Sequence, residues 1–284
     1  METDKHDCLV SVGICTYNQK DLCRNLVRDL LKHGPEDIKI FVWDNNPDPP
    51  IKFSDPRVEV ILDDMNSGYI IPNNRMATAC NSKYHIVSND DVEVGPNWFE
   101  SCVKEFNSPD IACVGPRGQY GHLDHNFNGQ TPPPGASHEY IEGWWMVFPR
   151  HIIDRYGWVF DEENLRYATS EDSHTCLLLQ EHGWKIKILK GLPIKHLESR
   201  TKKSLKMQNW CDENKHWLKI RWAYYLNKRA FHQHKILVKS ENVSKEKLKE
   251  IRWKYPHSHI VLLLEDGLAD EIVTKVDGTY SMEI

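Results

Sequence analysis

The chain has 284 residues, of which 40% are hydrophobic and 27% are charged, and its formal net charge is −5. This is ordinary globular composition, and the net acidity argues against a protein that binds nucleic acid through a basic surface overall. No apolar run approaches the ~20 residues that a bilayer-spanning helix needs, and the polar N-terminus lacks a secretory signal, so we expect a cytoplasmic protein without a transmembrane segment.

Strands and helices alternate along the first 200 residues. The apolar, β-branched segments that predict strands lie at 9–15, 38–43, 58–62, 84–92, 111–114, 141–148, 185–189 and 193–196. Helical spacing and helix-start or helix-stop residues predict helices over 21–31, 71–80, 97–106, 149–156 and 173–182. Strands that alternate with helices form a mainly parallel, doubly wound sheet, so we expect an α/β fold.

Three segments differ from this pattern. Residues 116–138 contain few apolar side chains and predict a long loop. Helical spacing returns from about 205 to 231, and a strand, a charged helix and a second strand are predicted over 235–238, 244–254 and 259–264. We therefore predict one domain over 1–200, a basic aromatic helical segment over 201–233 that packs on it, and a small α/β C-terminal appendage over 234–284.

Polar side chains follow three of the predicted strands at the points where they end. These strand ends are Thr16-Tyr17-Asn18, Asp44-Asn45-Asn46 and Asn89-Asp90-Asp91. In a parallel sheet they lie along one edge, where open α/β sheets bind ligands. Two adjacent carboxylates repel each other, and a hard divalent cation takes carboxylate and phosphate oxygens. Asp90 and Asp91 thus predict a cation site, with an acidic turn in solvent as the alternative.

The order of the motifs resembles family 2 of the GT-A glycosyltransferases. The motifs are Thr-Tyr-Asn at 16–18, Asp-Asn-Asn at 44–46, Asn-x-Gly-Tyr at 66–69, Asn-Asn-Arg at 73–75, Asp-Asp-Val at 90–92, Gly-Trp-Trp at 143–145 and Glu-Asp at 171–172. The resemblance runs from about Leu9 to His196 and implies a Rossmann-like GT-A fold and an inverting sugar transfer from a nucleotide-sugar. A sugar nucleotidyltransferase is the alternative, although residues 15–20 lack the glycine-rich phosphate loop of that family.

The predicted nucleotide site combines residue chemistry with the resemblance. A carboxylate such as Asp44 accepts a hydrogen bond from the imide N–H of uracil or thymine, whereas cytosine presents an acceptor there. Tyr17 can offer its ring to a base. The residues expected at the nucleotide are Thr16, Tyr17, Asn18, Asp44, Asn74, Arg75 and Asp90. A UDP-sugar is the first choice of donor and a dTDP-sugar the second, and a turn or helix cap is the alternative role for Asp44.

The predicted metal site follows from the resemblance. In the acidic motif of the family, the last carboxylate binds the metal and the preceding one contacts the ribose, which assigns Asp91 and Asp90. Asn89 departs from family versions that carry an acid there. His196 fits the histidine that many relatives add as a second ligand, and a strand cap is its alternative role. The expected cofactor is Mn²⁺ or Mg²⁺, which would bridge the two phosphates.

Glu171 and Asp172 form the predicted catalytic pair. They precede a helix, where the macrodipole favours acids in any protein, so an ordinary helix start is the alternative. An inverting transfer needs one general base, and the resemblance assigns this role to Asp172, with Glu171 orienting it or contacting the acceptor. Gly143, Trp144 and Trp145 correspond to the segment beneath the donor sugar and the acceptor, and one of the two tryptophans is expected in the core.

The acceptor is the least defined part of the prediction. Residues 190–235 interleave Lys and Arg with Trp and Tyr, which suits an anionic acceptor such as a nucleic acid, a phosphorylated lipid or an acidic glycan. A helix that packs its tryptophans while its lysines stay in water has the same pattern. We expect a glycan, lipid-linked or other hydroxyl acceptor. The alternatives are a glycosyltransferase that modifies hydroxymethylated DNA bases and a non-catalytic GT-A-like binding module.

Overall fold

The computed structural model describes residues 6–122, 137–197, 212–218, 221–222, 235–238, 259–262, 271–272 and 282–283. The chain divides into two compact units, Met1–Gln119 with Glu139–Lys215 and Tyr120–His138 with His216–Ile284. The domain boundaries near 200 and 233 stay a prediction. Among the described residues, no helix has the length and apolar character needed to cross a bilayer.

The elements follow the predicted alternation. The strands are β1 (Cys8–Thr16), β2 (Ile38–Asp44), β3 (Val58–Leu62), β4 (Ser82–Asn89), β5 (Val92–Val94), β6 (Ile111–Gly115), β7 (Gly118–His122), β8 (Ser137–Ile141), β9 (Trp145–Pro149), β10 (Lys185–Ile188), β11 (Ile194–His196), β12 (Lys235–Val238), β13 (His259–Leu262), β14 (Glu271–Ile272) and β15 (Met282–Glu283). The helices are α1 (Lys20–His33), α2 (Ile70–Thr78), α3 (Trp98–Val103), α4 (Arg150–Tyr156) and α5 (Glu171–Glu181). A 3₁₀ turn covers Lys104–Asn107, and residues 212–218 and 221–222 are also helical.

Seven strands of the first unit form one sheet in the order β10-β6-β9-β4-β1-β2-β3. Neighbouring strands are parallel except at β9, which is antiparallel to β4 and β6, so the prediction of a mainly parallel sheet is confirmed. The reversal matters for the site. It places the beginning of β9, where Trp145 pairs with Ser88, at the edge where the parallel strands end.

Three local predictions were wrong or incomplete. The predicted strand 141–148 is two strands, because a turn at Glu142–Trp144 separates β8 from β9. The predicted loop 116–138 contains β7 at its start and the first residues of β8 at its end, and these strands pair with each other. Residues 123–136 lie outside the described residues. Finally, the predicted strand 84–92 is also two strands. Strand β4 ends at Asn89, and β5 follows the Asp-Asp pair directly and pairs antiparallel with β11.

Helix α1 is held against the sheet by the face that its sequence predicts. Its buried side chains, Cys23, Leu26, Val27 and Leu30, recur at helical spacing and belong to the same apolar cluster as the interior of β1 and β2. The helix ends where the Gly34 N–H donates to the carbonyl of Leu30 at 2.8 Å. A Cβ at position 34 would stand 2.6 Å from that oxygen, so the close approach requires glycine.

The second unit contains a four-stranded parallel sheet in the order β14-β13-β12-β15. Strands β12 and β13 confirm the predicted strands in this region, whereas β14 and β15 are too short to show a sequence pattern. The predicted helix over 244–254 and most of the basic aromatic segment lie outside the described residues.

A buried histidine makes the stability of the sheet sensitive to acid. His85 of β4 is fully buried, and its Nδ1 lies 2.8 Å from the Ser11 hydroxyl of β1. Burial, followed by the nearby positive charge of Arg150, lowers the pKa of His85 to about 3. The unfolded chain therefore binds a proton that the folded chain excludes between its unfolded and folded pKa values. This contribution to stability is complete above the unfolded pKa and decreases as pH falls.

We expect His85→Asn to flatten this dependence. The depressed pKa predicts that the wild-type protein loses about 3 kcal/mol of unfolding free energy through this residue between about pH 7 and about pH 4. Urea unfolding at each pH measures the effect. Whatever its stability at neutral pH, the variant should lose less stability on acidification, while His33→Asn on α1 should keep the wild-type dependence. Equal pH dependence in the wild type and His85→Asn would contradict the assignment.

Candidate active site

The ends of β1 and β2 lie side by side, as the sequence predicts. Thr16 pairs with Asp44, and the Asn45 N–H donates to the Thr16 carbonyl at 2.9 Å. Asp44 is fully buried, and its carboxylate accepts the N–H groups of Asn46 at 3.2 Å and Ile51 at 3.0 Å. The ammonium group of Lys20 lies 3.4 Å away. Asp44 thus organises its own turn, which is the alternative role named above, and its contact with a base stays a prediction.

Asp90 is a buried carboxylate at the end of β4. Burial raises its pKa to about 7, and the neighbouring charge of Asp91 acts in the same direction. The hydroxyl of Thr16 and the backbone N–H of Tyr17 partly oppose this rise. Its Oδ2 atom has no hydrogen-bond partner among the residues that the structure describes. Because a buried acceptor without a partner is costly, this oxygen is available for a ligand group.

Asp91 and His196 meet across the β5–β11 strand pair. Asp91 Oδ1 and His196 Nε2 are 3.0 Å apart, and both side chains are largely buried. The Leu197 N–H donates to the Asp91 carbonyl at 2.9 Å, and Asn89 Nδ2 lies 3.3 Å from the same imidazole nitrogen. Residues separated by more than a hundred positions in the sequence are therefore brought together by the short strand β5, which the sequence did not predict.

Trp144 and Trp145 have different roles. Trp145 is fully buried and packs edge-to-face on Trp98 with ring centroids 5.4 Å apart, so it is the core tryptophan. The Trp144 ring stacks on the His196 imidazole at 4.8 Å with an angle of 4° between the planes. Its Nε1–H donates to Glu142 at 2.6 Å. Trp144 therefore fixes the orientation of His196.

The Asp91–His196 pair fits a divalent cation. A carboxylate oxygen and an imidazole nitrogen converge, and the unpartnered Oδ2 of Asp90 belongs to the adjacent residue. Within the described ranges, no group of three or more His, Cys, Asp and Glu side chains is arranged to hold a metal ion. A cation here would need further oxygens from a substrate, which is the usual arrangement for Mg²⁺ at phosphate groups.

The predicted catalytic pair lies in the first turn of α5 and contacts the turn before β9. Asp172 accepts the Gly143 N–H at 2.9 Å and the Ser173 N–H at 2.7 Å. A Cβ added at Gly143 would stand 3.3 Å from Asp172 Cβ and 3.5 Å from a carboxylate oxygen of Glu171. Glu171 is buried, whereas Asp172 is partly exposed and can be reached by a substrate. The adjacent residues Gly143 and Trp144 thus connect the acidic pair with the Asp91–His196 pair.

The comparison with known families agrees with this arrangement. The profile of the family described as "Glycosyl transferase family 2" matches residues 11–160, more than half of the chain. The chain belongs to glycosyl transferase family 2. The resemblance seen in the sequence motifs is therefore confirmed. A search of curated proteins finds no match to the chain.

Solved structures confirm that this family 2 chain has the GT-A fold. One similar structure is "Mannosyltransferase PcManGT from Pyrobaculum calidifontis in complex with GDP-Man and Mn2+", with a TM-score of 0.50, 15% identity and coverage of 79% of this chain and 66% of that chain. Another is "Crystal structure of GalNAc-T7 with UDP, GalNAc and Mn2+", with a TM-score of 0.55, 15% identity and coverage of 90% and 55%. This chain thus spans less than two thirds of either structure.

Two residues predicted at the nucleotide are engaged elsewhere in this family 2 chain. The buried amide of Asn74 donates to Phe160 and Glu162 and accepts the N–H groups of Val159 and Phe160, at 2.7 to 3.0 Å. A contact with a nucleotide would break one of these four bonds. Arg75 is exposed and pairs with Glu162 at 2.9 Å. Tyr17 is partly exposed and Asn18 is exposed, so both are accessible.

The structure also gives partners to three motif residues to which the sequence assigned no role. The Tyr69 hydroxyl donates to the Gly143 carbonyl at 2.7 Å, opposite the N–H that Asp172 accepts. The Asn45 side chain donates to the Gly68 carbonyl at 2.9 Å, which connects the end of β2 to the turn that precedes α2. The Asn-x-Gly-Tyr motif contains Gly68 and Tyr69, but their partners are distant in sequence and could not be inferred from it.

Gly68 provides a test of this turn. Its φ is +81°, and an added Cβ would stand 2.8 Å from both the Cα and the carbonyl oxygen of Tyr167. Gly157 has a φ of +75° with nothing within 4 Å of the same position. We expect Gly157→Ala to cost only the strain of a left-handed alanine, about 1 kcal/mol, in thermal unfolding.

Gly68→Ala should cost clearly more than Gly157→Ala, because the methyl group must also displace the segment that leads to Asp172. We expect it to lower turnover by roughly 10-fold or more, while Gly157→Ala keeps wild-type turnover. Equal effects of the two substitutions on stability and turnover would show that contact with Tyr167 is unimportant.

Proposed function

We propose that the protein is a divalent-metal-dependent, inverting glycosyltransferase that moves a sugar from a UDP-sugar to an acceptor hydroxyl. The observation that carries the proposal is the link formed by Gly143 and Trp144. The Gly143 N–H donates to the Asp172 carboxylate at 2.9 Å. The Trp144 ring stacks on the His196 imidazole, whose Nε2 lies 3.0 Å from Asp91 Oδ1. A general base and a candidate diphosphate site are thereby held at adjacent backbone positions.

The diphosphate side of the site consists of Asp91 and His196, which would hold Mn²⁺ or Mg²⁺. Bound there, the cation would supply positive charge to the leaving diphosphate. The neighbouring Asp90 has an unpartnered buried oxygen that suits a ribose hydroxyl. Asn89 Nδ2 lies 3.3 Å from His196 Nε2, beside the imidazole that stacks on Trp144.

The acceptor side consists of Asp172 and the residues that fix it. Asp172 accepts the proton of the acceptor hydroxyl while that oxygen forms a bond to the anomeric carbon. The bond between this carbon and the diphosphate oxygen breaks, and the nucleoside diphosphate leaves with the electron pair. Attack from the face opposite the leaving group inverts the anomeric centre. The Gly143 N–H bond orients Asp172, and the carboxylate of the preceding residue, Glu171, is buried beside Gly143.

We infer the nucleobase of the sugar donor from the chemistry of Asp44 and Tyr17. A carboxylate at a strand end selects a base that presents an N–H donor, which uracil and thymine do, and UDP and then dTDP are the first candidates. Of the two similar structures, one is a complex with GDP-Man and the other a complex with UDP. GDP-sugars therefore belong in the same screen, since guanine also presents N–H donors.

A donor screen tests the proposal. UDP-, dTDP- and GDP-sugars are incubated with Mn²⁺ or Mg²⁺, and the released nucleoside diphosphate is measured with and without candidate acceptors. We expect release from UDP-sugars that stops with a chelator, and a product of inverted anomeric configuration by NMR. Pyrophosphate release would instead indicate a nucleotidyltransferase, and binding without turnover would indicate a binding module. Glycans, lipid-linked hydroxyl compounds and hydroxymethylated duplex DNA serve as acceptor arms.

A further inference from the structure

The segment immediately before the catalytic pair has an unusual backbone. Three of its residues, none of them glycine, have left-handed conformations, with φ values of +59° at Tyr167, +86° at Thr169 and +71° at Ser170. Such conformations are unfavourable for L-residues and most unfavourable for β-branched ones such as threonine. They persist only where surrounding contacts impose them, and they occur most often at functional sites.

One side of this segment is held by a single amide. Asn214, in the helical residues 212–218, is 2% exposed, and its Oδ1 accepts the Arg166 N–H at 3.0 Å. Its Nδ2 donates to the carbonyls of Arg166 at 2.7 Å, Ala168 at 2.9 Å and Thr169 at 3.0 Å. An amide nitrogen has two hydrogens, so three acceptors around it mean that one hydrogen is shared. The polar groups of Asn214 are therefore directed at this segment.

The other side of the segment is held by the turn that begins α2. The Tyr167 carbonyl accepts the N–H groups of Tyr69 at 2.7 Å and Ile70 at 3.0 Å. Tyr69 also donates through its hydroxyl to Gly143, whose own N–H binds Asp172. The segment is thus fixed between Asn214 and a turn that belongs to the candidate site.

Ser170 is the N-cap residue of α5, and no side-chain hydrogen bond caps the helix there. The direction in which α5 begins, and hence the position of Asp172 two residues later, therefore depends on the backbone of residues 166–170. We propose that Asn214 is a positioning residue for the catalytic base, which makes the helical residues 212–215 part of the catalytic apparatus. The inference rests on the proposed role of Asp172.

A purely structural role for Asn214 predicts something different. Loss of a structural residue would lower stability and weaken all functions of the site together. Loss of a positioning residue should reduce turnover while nucleotide binding stays intact, because Asp44, Asp91 and His196 are placed by strands β2, β4, β5 and β11 and make no hydrogen bond with Asn214 among the described residues. The ratio of turnover to nucleotide affinity therefore separates the two roles.

The test uses Asn214→Ala in the full-length protein with the best donor of the screen. We expect kcat to fall about 100-fold, as for a catalytic group misplaced by about an ångström, with the Kd for UDP in Mn²⁺ unchanged. Hydrogen exchange of residues 166–175 should rise more than that of β1 and β4. Asn25→Ala, at an exposed position of α1, is the control and should match the wild type. Asn214→Ser, a milder change, replaces Asn214→Ala if the latter does not fold.

A rescue experiment sharpens the result. Thr169→Gly removes the penalty for a left-handed residue at this position, so in the Asn214→Ala background it should restore part of the lost turnover. Unchanged kcat in the position-214 variant, or a fall in kcat matched by an equal fall in UDP affinity, overturns the inference. So does a rescue variant whose turnover falls further. Absence of turnover by the wild-type protein with every donor overturns the proposed function, and this inference with it.

Discussion

Replacing Asp172 by asparagine should reduce glycosyl transfer by about 1,000-fold, within the range usual for loss of a general base. Asparagine preserves the shape of the side chain, and its Oδ1 can still accept one of the two N–H groups that Asp172 accepts, from Gly143 at 2.9 Å and from Ser173 at 2.7 Å. It cannot take a proton from the acceptor hydroxyl. The affinity for UDP in Mn²⁺ should therefore stay within about twofold of the wild type, which corresponds to less than 1 kcal/mol.

The matched control for this variant is Asp21→Asn. Asp21 occupies the first turn of α1, as Asp172 does in α5, but its side chain is 96% exposed. Both substitutions remove the same favourable interaction with a helix macrodipole, so any shared loss of stability cancels in the comparison. Turnover by Asp172→Asn above about a tenth of the wild-type rate would be too large for loss of a general base and would assign the base to another residue.

Removing either partner of the Asp91–His196 pair should abolish the metal-dependent part of nucleotide binding. Substitution of groups that merely support a metal ligand commonly costs 10–100-fold in affinity, so loss of a ligand should cost at least about 100-fold. We expect this for Asp91→Asn and His196→Gln when UDP binding is measured by calorimetry with Mn²⁺. With a chelator present, both variants and the wild type should bind UDP equally weakly.

A second histidine–aspartate pair offers the control. His174 Nε2 lies 3.1 Å from Asp161 Oδ2, close to the 3.0 Å of the candidate metal pair. Burial acts to raise the pKa of Asp161, but hydrogen bonds from His174 and Asn164 outweigh it and lower the pKa to about 2. His174→Gln should therefore destabilise the protein, mainly above the ordinary pKa of aspartate, without altering the Mn²⁺ dependence of UDP binding. If all three variants lost that dependence equally, Asp91 and His196 would not be the ligands.

Much of the fold could be predicted because its signals are local. The β-branched runs of β1, β2 and β6 and the helical spacing of α1 are readable within a dozen residues, and they determine the alternating architecture. The direction of β9 is not local information. The run from Ile141 to Phe148 has Glu142 as its single charged residue, so a turn at Gly143 that reverses the chain is not distinguished from a continuous strand.

The site was predictable where residues follow strand ends and unpredictable where partners are distant. The polar ends of β1, β2 and β4 were predicted to lie together because strand ends converge in parallel sheets, and the strand register confirms this placement. The stacking of Trp144 on His196 depends on strand β5, which has three residues and no recognisable pattern. The side-chain amide of Asn74 donates a hydrogen bond to Phe160, and that of Asn214 donates one to Arg166. Each bond joins two segments that no sequence pattern connects. Tertiary hydrogen bonds of this kind produce no periodic pattern in the sequence.

The antiparallel direction of β9 has a consequence for which part of the sequence can change without changing the sheet. Parallel neighbouring strands require a crossover connection of a dozen or more residues. Antiparallel neighbours such as β6 and β9 have no such minimum length for the connection between them. Insertions and exchanges in the chain between these two strands therefore leave the strand order, the ends of β1, β2 and β4 and helix α5 in place. Recombination at this one connection therefore exchanges a segment of the chain and leaves the seven-stranded sheet unaltered.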